Sequence, residues 1–172
     1  MTGPRRRDRV LSIYPHARGF TYTVFEGPMS PRDWGTKQIR GEDQNARCLA
    51  AAKRLIESVQ PEILALEEIA PPGRRRSPQV ARLQRLLQSH AALQAIDVQT
   101  FTRKEIRDCF EALGAATRYE RAQLIASQVA AFSDRLPPPR KTWMQENPKM
   151  RLFDSAAVAL AVYCRLGEEL MS

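Results

Sequence analysis

The 172-residue chain is poor in the residues that most often mark a site. Its three cysteines, Cys48, Cys109 and Cys164, are far apart with no CxxC pair, and histidine occurs only twice. This points away from a zinc site or a disulfide framework and fits a reducing, cytosolic setting. Long apolar runs are also missing: the longest, "AAVALAVYC", is too short to span a bilayer. The opening "MTGPRRRDR" is basic, but no apolar h-region follows it, so a soluble, unexported protein without a membrane partner is expected. No internal repeat or long linker appears. The chain reads as a basic N-terminal tail, residues 1–8, and one domain, residues 9–172, long enough to bury a real core.

Positive charge is in excess. Lys and Arg number 27 against 19 acids, a formal +8 with a pI near 9.9. A polyanionic partner is implied, and nucleic acid is the commonest one. The arginines cluster in "RRRDR", in "GRRRS" with Arg74, Arg75 and Arg76, and in "RLPPPRK" with Arg140 and Lys141. These are Pro- or Gly-flanked loops from which guanidinium groups reach phosphates bidentately. The plainer reading is a solvated loop.

Residues 9–14, 19–26 and 34–40 alternate or run apolar between Gly, Pro and Ser breaks, which predicts an antiparallel three-strand meander with a sharp break at Pro15. From Asp43, read as a cap, Leu49, Ala52, Ile56 and Val59 fall on one helical face. "PEILALEEI" reads as a buried parallel strand. Val80, Leu83, Leu87 and His90 mark a second helix, and "AIDVQTF" a fifth strand. Helical stretches over roughly 103–112 and 117–134 follow, and "FDSAAVALAVYCRLGEEL" closes the chain as a largely buried helix. The fold class is α/β: a five-stranded mixed sheet with helices on both faces.

Three positions converge in this arrangement. Tyr14 ends the first strand, Glu67 ends a strand parallel to it, and Asp154 opens the last helix. Carboxylates gathered at strand ends and a helix start suit magnesium, and two such ions roughly 4 Å apart hydrolyse phosphodiesters. Each residue has a plainer reading: Asp154 as a helix cap, the Glu67-Glu68 pair as a strand-end ion pair, His90 as a packed or half-buried histidine. His16, two residues past Tyr14, is a lesser candidate for the same cleft.

Together these segments resemble the RuvC-like Holliday junction resolvases of the ribonuclease H-like superfamily. "SIYPHARGFTYTVFE" resembles the family's I-D-P-G strand and G-Y-x-V return; "ALEEIA" matches its second acid through Glu67. "EIRDCFEALGAATRYERAQLI" resembles the segment carrying basic and amide residues, with Arg107, Arg121 and Gln123 in those positions. "DSAAVALAV" resembles the D-A-L-A helix with Asp154 as the final acid, and Arg151 takes the basic or histidine position three before it. The resemblance spans roughly residues 9 to 165. It implies Glu67 and Asp154 as ligands of Mg2+ or Mn2+, phosphate contacts from Arg74–Arg76, Arg107, Arg121, Arg140, Lys141 and Arg151, and a homodimer through the helix near 79–93.

Tyr14 departs from the pattern, standing where the family has the aspartate shared by both metals. A protonated phenol is a poor magnesium ligand. Asp8 shares the strand face but lies six residues back, about 20 Å by strand rise; Glu68 faces away, and nothing recommends Glu26 or Asp33. His16 also replaces the glycine of the family's Pro-Gly. The first expectation is a nucleic-acid-binding protein that recognises branched or structured DNA with an impaired nuclease site. The alternatives are an active Mg/Mn-dependent structure-selective endonuclease and a non-catalytic dimeric module; structured RNA is a further substrate class for the first two.

Overall fold

The computed structural model describes residues 8–68 and 77–171. Almost all of the basic tail and the cluster Arg74, Arg75 and Arg76 therefore lie outside the described residues.

Strand β1 (Val10–His16) turns at Ala17-Arg18 into β2 (Gly19–Phe25), and β3 (Pro31–Gln38) completes an antiparallel meander. Helix α1 (Gln44–Val59) leads to β4 (Ile63–Glu67), α2 (Pro78–Leu93) to β5 (Asp97–Phe101). Both β4 and β5 join in parallel, giving a five-stranded sheet of order β3-β2-β1-β4-β5. The chain closes with α3 (Arg103–Glu111), α4 (Arg118–Gln128), a 3-10 turn (Ala130–Arg135) and α5 (Met150–Arg165).

Strand alternation divides the core. Leu11, Ile13, Leu64 and Leu66 face α1 and α2, whereas Val10, Ala65 and Phe101 face α3, α4 and α5. On the second face the Phe132 ring meets Phe25, Trp34 and Phe153 edge-on, at centroid distances of 6.4, 5.1 and 6.2 Å. Polar locks fix α5 to the sheet. Buried Ser155 Oγ lies 3.2 Å from Thr23 Oγ1 and 3.3 Å from Ser12 Oγ. Further along, the Tyr163 hydroxyl accepts from the Gly27 N–H and donates to the Asp8 carbonyl, each at 2.8 Å. Cys109 and Cys164 meet where α3 passes α5, and burial pushes the Cys109 thiol up.

Several expected boundaries move. Pro15 does not break the first strand; it pairs with Phe20 inside β1. Pairing to β4 stops at Ser12, so the proline's missing N–H falls on an open edge. β3 starts at Pro31 rather than 34. Asp43 precedes α1 but makes no side-chain cap bond, because its backbone is left-handed (φ 56°). The stretch 117–134 is not one helix: Val129 adopts extended geometry and separates α4 from the 3-10 turn. The last helix begins at Met150, so Asp154 lies more than a turn inside it and does not open it.

Candidate functional site

Beyond the last β1–β4 pair, Ser12 with Ala65, the same register brings Tyr14 level with Glu67. Thr102 caps α3 through a reciprocal capping box with Glu105, turning the chain sharply after β5 and setting Arg103 beside the end of β4. Thr117 caps α4 and presents Arg118 as its first residue. Gln84, 1% exposed on α2, donates to the Glu67 carbonyl and holds that strand end from behind.

These elements enclose a cleft of about 370 Å³ lined by Tyr14, Glu67, Asp154, Glu146 and four arginines, Arg103, Arg107, Arg118 and Arg121. The two acids read from the sequence do come together with Tyr14, but each is held by an arginine. Arg118 grips Asp154 bidentately, with Nε 2.8 Å from Oδ1 and Nη2 on Oδ2, and its Nη1 also holds Glu146. Arg103 Nε lies 3.3 Å from Glu67 Oε1. The hydrogen bond to Asp154 raises the Arg118 pKa above the ordinary arginine value, while burial lowers that of Arg121.

The donor set does not fit a divalent metal as it stands. Among the described residues no group of three or more His, Cys, Asp or Glu side chains converges to hold an ion. A guanidinium occupies the carboxylate edge that a metal requires.

A search of known protein families found no model that matches the chain, and no curated protein matches it. Solved structures do. The Thermus thermophilus RuvC structure superposes with a TM-score of 0.66 at 17% identity, over 92% of this chain and 96% of that one. T. thermophilus RuvC in complex with Holliday junction substrate gives 0.67 at 17% identity, over 94% and 97%. The yeast mitochondrial Holliday junction resolvase gives 0.61 at 16% identity, over 92% and 79%. The chain has a RuvC-like fold. The ribonuclease H-like class expected from the sequence is therefore the class observed, with helices on both faces of a mixed sheet.

On this RuvC-like scaffold, Arg107 and Arg121 line the cleft. Arg151 does not; it lies over the neighbouring surface of β2 and β3. Arg140 and Lys141 are exposed in the loop after the 3-10 turn and line neither, Lys141 resting 5.3 Å from the Trp143 ring. His16 turns from the cleft: its Nε2 lies 3.2 Å from Thr21 Oγ1 and its Nδ1 accepts from the Arg18 N–H. Burial, with Arg151 and Arg18 nearby, lowers its pKa to about 4. Glu26 is spent on Arg9 and Arg32, and Asp33 on the Tyr22 hydroxyl. His90 is half-buried in a groove with Glu57 and Gln60, away from the cleft.

Arg103, Arg118 and Glu146 were missed in the sequence. Capping logic would have found the two arginines, since Thr102 and Thr117 each place the next residue at a helix start facing the strand ends. Glu146 carried no signal, because only the path of a long loop brings it in.

Proposed function

We propose that this chain is a RuvC-like nucleic-acid-binding protein that recognises branched DNA through its arginine-lined cleft and no longer hydrolyses it. One observation carries the reading: Arg103 and Arg118 hold Glu67 and Asp154, and Tyr14, which the sequence resemblance sets at the family's remaining acid position, lines the same cleft. Four arginines against three carboxylates leave the cleft net positive without any metal. A phosphodiester competes for the same guanidinium groups that the carboxylates hold. Support for branched DNA comes from T. thermophilus RuvC and the fowlpox virus resolvase, both solved with Holliday junction DNA.

Binding then needs no divalent ion. A labelled four-way junction should shift in a gel in EDTA, ahead of linear duplex of equal length, and stay intact when Mg2+ or Mn2+ is added. Metal-dependent nicks that vanish in Glu67→Gln would overturn the reading and favour an endonuclease. That second reading has its own support: Glu146 adds a third carboxylate to the lining of the cleft that Glu67 and Asp154 share. We further propose a homodimer formed through α2, whose Leu93 is 83% exposed. Light scattering should give twice the monomer mass, and Leu93→Asp should return it to monomer.

A further inference from the structure

A second cationic site lies on the other side of Tyr14. A groove of about 290 Å³ runs between the open half of β3 and the start of α5, with Arg135, Lys149 and Arg151 on its walls and Thr21, Thr36 and Gln38 on its floor. No carboxylate lines it. Among the described residues none of the three cations has an acidic partner, unlike Arg103 and Arg118 in the cleft. Arg135 is held over the Trp34 ring at 5.8 Å, and Trp34 is braced by Phe132, so the outermost charge is positioned by packing rather than by a counter-charge.

The floor is ordered for hydrogen bonding. Thr21 Oγ1 lies 3.0 Å from Thr36 Oγ1 and 3.2 Å from His16 Nε2. With its Nδ1 accepting the Arg18 N–H, the neutral imidazole carries its proton on Nε2 and donates to Thr21. Thr21 and Thr36 thus share one hydroxyl–hydroxyl bond at the floor, in which either oxygen can donate. Three cations that have no acidic partner among the described residues stand above two hydroxyls and an amide, a cation-rich surface that suits phosphate oxygens.

Position settles which phosphate. Tyr14 lines the cleft, and its cross-strand partner Thr21 lines the groove. The two sites are thus adjacent across a single strand pair, about 5 Å between the paired residues. We infer that this groove binds the sugar-phosphate backbone of a nucleic-acid strand as it leaves the cleft past Tyr14. The assignment extends the cleft reading and is tested apart from it.

Trp34 is a built-in reporter once Trp143, the other of the two tryptophans, is changed to Phe. In that background, full-length protein is titrated with a twelve-nucleotide thymidylate strand, and separately with inorganic phosphate. The strand should change Trp34 emission saturably. Arg135→Gln with Lys149→Gln and Arg151→Gln should weaken binding at least tenfold and lower the salt slope by about 2, at roughly 0.7 per phosphate released. Arg135→Glu with Lys149→Glu, both at exposed positions, should do the same should the triple variant unfold. Unchanged affinity and slope in the folded variants would overturn the assignment. So would saturation by phosphate alone with no response to the strand, which would make this a free-phosphate site. Arg107→Gln with Arg121→Gln should leave the Trp34 response in place; if that cleft variant also binds junctions normally, the cleft reading fails while the groove stands.

Discussion

If the cleft resists metal as proposed, Arg118 is the main barrier, and its size follows from burial. A divalent ion that takes Asp154 as ligand must displace a bidentate guanidinium from a carboxylate only 14% exposed. Breaking a fully buried pair costs about 3–5 kcal/mol, and an exposed pair is worth about 0–1 kcal/mol. With Arg118 itself 41% exposed, the pair falls between, at about 2 kcal/mol. Arg103 on Glu67 is 65% exposed and adds less than about 1 kcal/mol. The sum, about 2–3 kcal/mol, weakens metal binding roughly 30- to 150-fold at 1.4 kcal/mol per tenfold, before the missing donor at Tyr14 is counted.

Tyr14→Asp should therefore bind Mn2+ weakly, and Tyr14→Asp with Arg118→Met roughly 30-fold more tightly. Thermal unfolding during a Mn2+ titration checks this. At a hundred times its Kd the ion should stabilise the double variant by about 2.7 kcal/mol, or about 5–10 °C for a chain of this size. Wild-type protein should not shift at that concentration. If wild type and double variant are stabilised alike, the guanidinium is no barrier and the reasoning fails.

The acid limb of stability should carry the signature of His16. Its folded pKa is lowered to about 4 from 6.5, so the unfolded chain binds the extra proton between those values. The contribution is fully present above pH 6.5 and is lost as pH falls toward 4; discounted for partial exposure it is on the order of 1 kcal/mol. Urea unfolding at pH 7 and pH 5 should show His16→Gln losing less stability on acidification than wild type. Gly19 sits at φ 128°, and a Cβ there would lie 1.9 Å from the Lys37 carbonyl oxygen; Gly19→Ala should cost about 3 kcal/mol or more by denaturant titration, since backbone must move. Phe132→Ala removes a fully buried ring shared by Phe25, Trp34 and Phe153 and should cost about 3–5 kcal/mol in the same assay.

Much of this molecule was legible in its residues because the signals are local. Period-two alternation marks the meander, period 3.6 marks the helices, and a continuous apolar run marks β4 as covered on both faces. Strand direction then follows from connection length, which is why Tyr14 and Glu67 were expected at one sheet edge. The errors are also local in origin. Pro15 reads as a breaker, yet a strand with an open edge tolerates it. Asp154 reads as a cap because the residues before it, up to Pro148, show no helical period, whereas Met150 and Leu152 find tertiary partners that extend the helix backwards.

What the sequence by itself determined is the α/β layering, the basic balance and the meeting of Tyr14, Glu67 and Asp154. Only the tertiary structure decided what those acids face. Arg118 lies 36 residues from Asp154 and Arg103 the same distance from Glu67, and no periodicity reports a pairing across that gap. Ion pairs form where loops and capped helix starts come to rest in three dimensions. That placement turns a carboxylate edge of the kind that suits a metal into one filled by guanidinium, and sets Arg135, Lys149 and Arg151 together in the groove beside it.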